Sequence, residues 1–176
     1  CEILAMNGYD FVIIDCEHAQ TDSETAVNMF RACEMYGMAP MVRVYNPYDG
    51  PMMSRLLDVG AHGIMVPLVN DAPQAKNIVD NTKYAPVGRR GANGGRGPRW
   101  GAYDDYVKVC NDNTLTFVQC ESIEGVNNIE EIAALPGVDG VFIGTGDLSL
   151  EMGIKFKADS SANHTVDSPE MVAAID

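Results

Sequence analysis

Positive charge is what this chain of 176 residues has least of: 12 lysines and arginines stand against 25 acidic residues, a formal charge of −13. So acidic a surface repels a phosphate backbone, which excludes nucleic acid as the expected partner. Long apolar runs are missing too. None approaches the ~20 residues of a membrane span, and the opening CEILAMNGYD lacks the pattern of a secretory signal, so neither a membrane protein nor an exported one is expected. Cysteine is sparse: five residues, odd in number, with no C-x-x-C spacing. Free thiols in a reducing cytoplasm fit that pattern better than disulfides or a structural zinc site. There is no G-x-x-x-x-G-K-[ST] phosphate loop and no linker-like stretch, so residues 1–176 read as a single domain.

What is present is alternation between short apolar runs and amphipathic stretches. Strands are expected at residues 9–15 (YDFVIID), 40–44 (PMVRV), 62–67 (HGIMVP), 115–121 (LTFVQCE) and 138–144 (VDGVFIG). Their nearly continuous apolar character is that of strands covered on both faces, hence parallel. Helices are expected at 22–36, 48–59, 72–82, 103–111 and 125–134, with a short one at 148–152. Asp22 or Thr21 is a plausible N-cap for the first, and Gly37 its stop. Strand starts lie roughly 20 to 30 residues apart, the repeat of a βα unit, with one wider gap. That gap holds a Gly/Arg-rich loop, VGRRGANGGRGPRW, carrying Arg89, Arg90, Arg96 and Arg99. The loop reads as a lid or surface loop able to attract an acidic substrate. Repeating βα units suit a doubly wound sheet or a (β/α)8 barrel, and a barrel needs about 250 residues.

In such folds the site forms at the carboxyl ends of the strands. Asp15, Glu17 and His18 follow the first strand, Arg43 lies on the second, Gln119 and Glu121 end the fourth, and Gly144, Gly146 and Asp147 follow the fifth. Glu121 and Asp147 suit one hard divalent cation with positions left for water and substrate oxygens. Two solvated carboxylates are the plain alternative. Asp15 and His18, three apart, suit a carboxylate orienting an imidazole that acts as general base. His62 opens a strand and His164 lies in a polar segment, so neither competes with His18. Arg43 in an apolar strand needs an anionic partner, whether a site carboxylate or a bound oxyanion. Free N–H groups at Gly146 and Asp147 suit a substrate carboxylate. The lysines (76, 83, 108, 155 and 157) fall on helices or loops, which argues against a Schiff-base lysine in the pocket.

Taken in order, FVIIDCEHA, the arginine of MVRV, LLDVGAHGIMVPLV, the RRG of GRRGANG, FVQCES and GVDGVFIGTGDLS resemble the HpcH/HpaI aldolase/citrate lyase family, over about residues 8–153. The closer resemblance is to its metal-dependent pyruvate aldolases. It implies a (β/α)8 TIM barrel of the phosphoenolpyruvate/pyruvate superfamily, incomplete here at about five βα units. It implies a carbon-carbon lyase that cleaves a 4-hydroxy-2-oxo acid reversibly to pyruvate and an aldehyde through a metal-stabilised enolate. By the same resemblance Glu121 and Asp147 hold Mg2+, Mn2+ or Co2+, and Arg43 steadies the enolate oxygen. Gln119 and the N–H groups of Gly146 and Asp147 contact pyruvate, and His18, oriented by Asp15, handles the hydroxyl proton. Asp58 in LLDVG and Arg90 in RRG match accessory positions near the site.

The resemblance further implies a homo-oligomer active in aromatic or sugar acid catabolism. Oxaloacetate decarboxylation and a macrophomate-synthase-like reaction are the alternative outcomes of the same enolate chemistry. The family has a strand before the first one here and two after the fifth, so a partial barrel domain is expected. An inactive fragment, or a subunit completed by a partner, is the reading from outside enzymology. The segment after Gly153 reads as a loop and then a helix capped at Asp167 or Ser168, with Pro169 in its first turn.

Overall fold

The computed structural model describes residues 1–154 and 168–175. Its centre is one parallel sheet of β1 (Phe11–Asp15), β2 (Ala39–Arg43), β3 (Gly63–Val66), β4 (Leu115–Cys120) and β5 (Gly140–Ile143) in the order β1-β2-β3-β4-β5. Each strand thus pairs with the next in sequence, as successive βα units do when every crossover has the same hand. The helices are α1 (Glu2–Met6), α2 (Ser23–Glu34), α3 (Gly50–Asp58), α4 (Ala72–Thr82), α5 (Tyr106–Asn113), α6 (Ile123–Asn127), α7 (Ile129–Ala133), α8 (Thr145–Glu151) and α9 (Pro169–Ile175). No helix among the described residues is long and apolar enough to cross a membrane.

Local chemistry sets the helix ends. Asp22, Asp49 and Asp71 each accept a backbone N–H in the first turn of α2, α3 and α4. Such caps contribute about 1 kcal/mol apiece. Gly37 (φ 76°) closes the turn after α2, a conformation that residues with a Cβ resist. Ser168 caps α9 through Met171 N–H at 3.1 Å, one of the two expected caps. The other, Asp167, lies outside the described residues, as do Lys155, Lys157 and His164.

The helix expected at 125–134 is two. Asn128, with φ −106° and ψ 7°, separates α6 from α7, and its side-chain amide donates to Asn70 O at 2.8 Å. A tertiary bond to the neighbouring loop thus overrides local helical preference. The helix expected at 103–111 starts late, at Tyr106, because Asp105 takes a left-handed conformation (φ 60°).

Side chains alternate across the sheet. Ile14, Val42, Ile64, Val66 and Val118 join Phe30, Met53, Leu56, Leu57, Ile78 and Ile132 in one buried core between strands and helices. The opposite face carries a row made by the register Asp15↔Arg43↔Met65↔Phe117, and, one step further along β4, Gln119. Polar groups therefore gather on the face away from the helices, toward the carboxyl ends.

Candidate active site

The register of β1 and β2 sets Asp15 directly beside Arg43, so their side chains leave the sheet on one face. The Arg43 Nε donates to Asp15 Oδ1 at 2.9 Å and one terminal nitrogen donates to Oδ2 at 2.6 Å, a bidentate pair. The second terminal nitrogen lies 3.1 Å from Glu17 Oε2. The guanidinium holds the Asp15 carboxyl down at about 2, with help from the N–H groups of Glu17 and His18. Arg43 in turn is held further up by the same pair.

His18 departs from expectation. Asp15 accepts its backbone N–H at 3.4 Å, not its ring. The imidazole Nε2 instead lies 3.7 Å from Glu17 Oε2, the oxygen already facing Arg43, and the ring is 68% exposed. Asp15 is occupied by Arg43, so it has no oxygen to spare for an imidazole three residues on.

Glu121 sits at the end of β4 and is buried. Its Oε1 accepts Leu68 N–H at 2.7 Å and its Oε2 accepts the Gln119 side-chain amide at 2.8 Å. Burial pushes this carboxyl up, and the charges of Asp147 and Glu17 push the same way against those two hydrogen bonds. Leu68 is a non-glycine residue at φ 53°, a costly conformation that turns its N–H onto the carboxylate. The loop carrying it is tied down where Ser122 Oγ donates to Asn70 Oδ1 at 2.6 Å. Gly144 is just as constrained. A Cβ there would fall 2.2 Å from Glu121 Oε2 and 2.6 Å from Glu121 Cβ. Leu68, Glu17 and Gly144 all stand inside motifs already quoted, but nothing about a leucine in sequence flags the role that Leu68 plays through its backbone.

Asp147 lies in the first turn of α8 with Gly146 before it, and no side chain caps this helix. Its charge raises both Glu121 and Glu17. Among the described residues the cluster thus holds four carboxylates (Asp15, Glu17, Glu121 and Asp147) and one guanidinium, a surplus of negative charge. Among the described residues no three His, Cys, Asp or Glu side chains form a cage for an ion by themselves. Two carboxylates plus oxygens from substrate and water remain the donor set, as is usual for Mg2+ and similar hard cations. Gln119, whose amide nitrogen donates to Glu121, keeps its Oε1 buried without a hydrogen-bond partner, a further oxygen in the same neighbourhood. The residues present fit such a cation.

Asp58 and Arg90 do not join this cluster within the chain. Asp58 ends α3, and a helix that follows a strand ends at the amino side of the sheet. There Arg90, its side chain fully buried, donates to Asp58 Oδ1 at 2.7 Å and stacks 4.7 Å from the Tyr84 ring centre. Arg96 forks onto Glu34 at 2.7 and 3.0 Å. The Gly/Arg loop is therefore pinned under the sheet and is no lid over the site.

Lys83, expected on a helix or loop, is buried. Its Nζ reaches Asn111 O, Thr114 O and Asp139 Oδ2, all before the strands begin. A desolvated lysine exists, but at the far end from the cluster.

The sequence pattern of the HpcH/HpaI aldolase/citrate lyase family matches residues 1–174. The chain is 44% identical over 154 residues to the hydroxypyruvate/pyruvate aldolase of Chromohalobacter salexigens, covering 86% of this chain and 60% of that protein. It is 38% identical over 156 residues to the 2-keto-3-deoxy-L-rhamnonate aldolase of Escherichia coli K12, covering 86% of this chain and 57% of that one. It thus spans well under two thirds of these relatives' length. Among solved structures, an HpcH/HpaI aldolase/citrate lyase family protein from Burkholderia cenocepacia superposes with a TM-score of 0.87 at 33% identity, over 99% of this chain and 67% of that one.

Proposed function

The chain belongs to the HpcH/HpaI aldolase/citrate lyase family, and from that premise we propose that it is a divalent-metal-dependent aldolase. Its substrate would be a 4-hydroxy-2-oxo acid, cleaved reversibly to pyruvate, or a close analogue, and an aldehyde. The observation that carries this reading is the charge imbalance at the carboxyl ends. Four carboxylates share one arginine there, with Glu121 buried and raised by Asp147 and Glu17. An anionic oxo acid is repelled from such a cluster until a cation offsets it. Glu121 and Asp147 would hold that cation, and when bound it supplies positive charge to the keto and carboxylate oxygens of the substrate.

The chain's own groups then divide the work. Arg43, fixed by Asp15 on two of its nitrogens, lies ready for the charge that develops on the enolate oxygen. Because that charge is small in the ground state, Arg43 lowers the barrier more than it tightens binding. Gln119 and the N–H groups of Gly146 and Asp147 orient the pyruvate portion. His18 accepts the proton of the C4 hydroxyl. The C3–C4 electron pair passes into the enolate, the aldehyde departs, and protonation at C3 gives pyruvate. No lysine is needed as an electron sink, in keeping with Lys83 being sequestered under the sheet. The working state is a cytoplasmic homo-oligomer acting on small molecules, with no nucleic acid or membrane involved.

A retro-aldol assay with added Mn2+ or Co2+ tests the reading, with pyruvate release followed directly. Cleavage that persists in EDTA, or in Glu121→Ala, would remove the metal from the mechanism.

A further inference from the structure

The carboxylate best placed to act on His18 is the one between the ring and Arg43. Glu17 Oε2 lies 3.1 Å from the Arg43 nitrogen that Asp15 leaves free and 3.7 Å from His18 Nε2. Both Asp15 oxygens, by contrast, are held by Arg43, and Oδ1 also accepts two backbone N–H groups. The Glu17 side chain is 13% exposed, far less than the imidazole it faces. Its other charged neighbours are Asp15, Asp147 and Glu121, so it stands inside the cluster and not on its rim.

We propose that Glu17 is the positioning residue of the site: one carboxylate oxygen aligns His18 through Nε2, leaves Nδ1 as the basic nitrogen, and steadies the free end of Arg43. The inference rests on the aldolase reading for its kinetic arm only. A carboxylate opposite Nε2 keeps the ring proton on that nitrogen, so the lone pair that takes the hydroxyl proton is on Nδ1. Loss of the carboxylate then harms the step that needs a base. Release of CO2 from oxaloacetate forms the same enolate without any hydroxyl proton to remove, so it depends on the base far less.

Two measurements on Glu17→Gln decide the matter, with Glu17→Asp as the variant that keeps the charge. In Glu17→Gln the retro-aldol kcat should fall by about tenfold or more beyond any fall in oxaloacetate decarboxylation, with Glu17→Asp recovering part of it, because general-base contributions run to about a hundredfold and above. Imidazole 15N NMR should show the Nε2–H form of His18 in the unaltered protein more strongly favoured than in a free imidazole side chain, which already leans that way, and Glu17→Gln should return it to that ordinary ratio. Equal losses in the two reactions, or no loss, overturn the proposal. So does a His18 tautomer that ignores Glu17, and if Glu17→Gln fails to fold the same criteria apply to Glu17→Asp against the unaltered protein. An unaltered protein active in neither reaction counts against the aldolase reading instead, and the NMR result still decides the role of Glu17.

Discussion

Gly144→Ala is the most direct probe of how the site is built. The added Cβ would fall 2.2 Å from Glu121 Oε2 and 2.6 Å from Glu121 Cβ. The carboxylate end could rotate away, but the Cβ is fixed by β4, so rotation alone leaves one contact far inside van der Waals range. Overpacking of this kind costs about 1–3 kcal/mol. Rotation also breaks the bonds from Leu68 N–H and the Gln119 amide, and hydrogen bonds to a charged group contribute about 1.5–3 kcal/mol each. Losing one of the two while relaxing the clash gives a net cost of about 3 kcal/mol, or about 6–12 °C in melting temperature for a chain of this size. Thermal and urea denaturation measure it, and Mn2+ binding followed by electron paramagnetic resonance reports whether Glu121 has left its position. In a Glu121→Gly background the same substitution should cost less than about 1 kcal/mol, since the opposing atoms are gone. A single variant within about 0.5 kcal/mol of the parent, with Mn2+ binding intact, would refute the claim that Gly144 is there to make room for Glu121.

Three further outcomes are expected. Lys83→Met should destabilise the protein by about 2–3 kcal/mol, because two carbonyls and a carboxylate lose their shared donor. The folded fraction should keep its full retro-aldol rate, and borohydride should trap no pyruvate adduct on the parent protein. Asp15 is depressed from 3.8 to about 2 by Arg43, so its contribution to stability is complete above pH ~4 and lost as pH falls through about 2. Asp15→Asn should therefore flatten the stability profile between those values in denaturant titrations. Asp22→Ala removes the side-chain bond to Thr25 N–H and should cost about 1 kcal/mol in the same assay, with no effect on turnover.

How far the sequence could be read depended on the range of the interactions involved. All five strands are legible because each is written as a short apolar run, FVIID as much as GIMV, although β3 alone of the two is buried throughout. The start of α2 at Asp22 is legible because a cap is a contact three residues long. The break at Asn128 is not, since it answers to Asn70 across the fold. Leu68 is the extreme case: leucine has no preference for a positive φ, and the carboxylate that holds it there is 53 residues away. The partner of His18 was misread for a nearer reason. Spacing allowed Asp15 to reach the ring, but the β1–β2 register gave Asp15 to Arg43 first. The location of Asp58 was within reach from the outset, since the last turn of a helix following a strand lies at the amino side of the sheet.

That division between the two ends of the sheet also explains why one end is chemical and the other is not. Below the strands the cations come matched: Lys83 with Asp139, Arg90 with Asp58, Arg96 with Glu34. In each of these pairs the cation meets opposite charge at close range. Above the strands, among the described residues, Asp15, Glu17, Glu121 and Asp147 have Arg43 as their one arginine, and burial keeps water from making up the difference at Glu121. Side chains that satisfied one another would serve stability better. An arrangement that stays unbalanced, is walled by a strained Leu68, and leaves a Cβ at 144 only 2.2 Å from Glu121 Oε2 is what the proposed reading requires, in which the missing positive charge arrives from outside the chain.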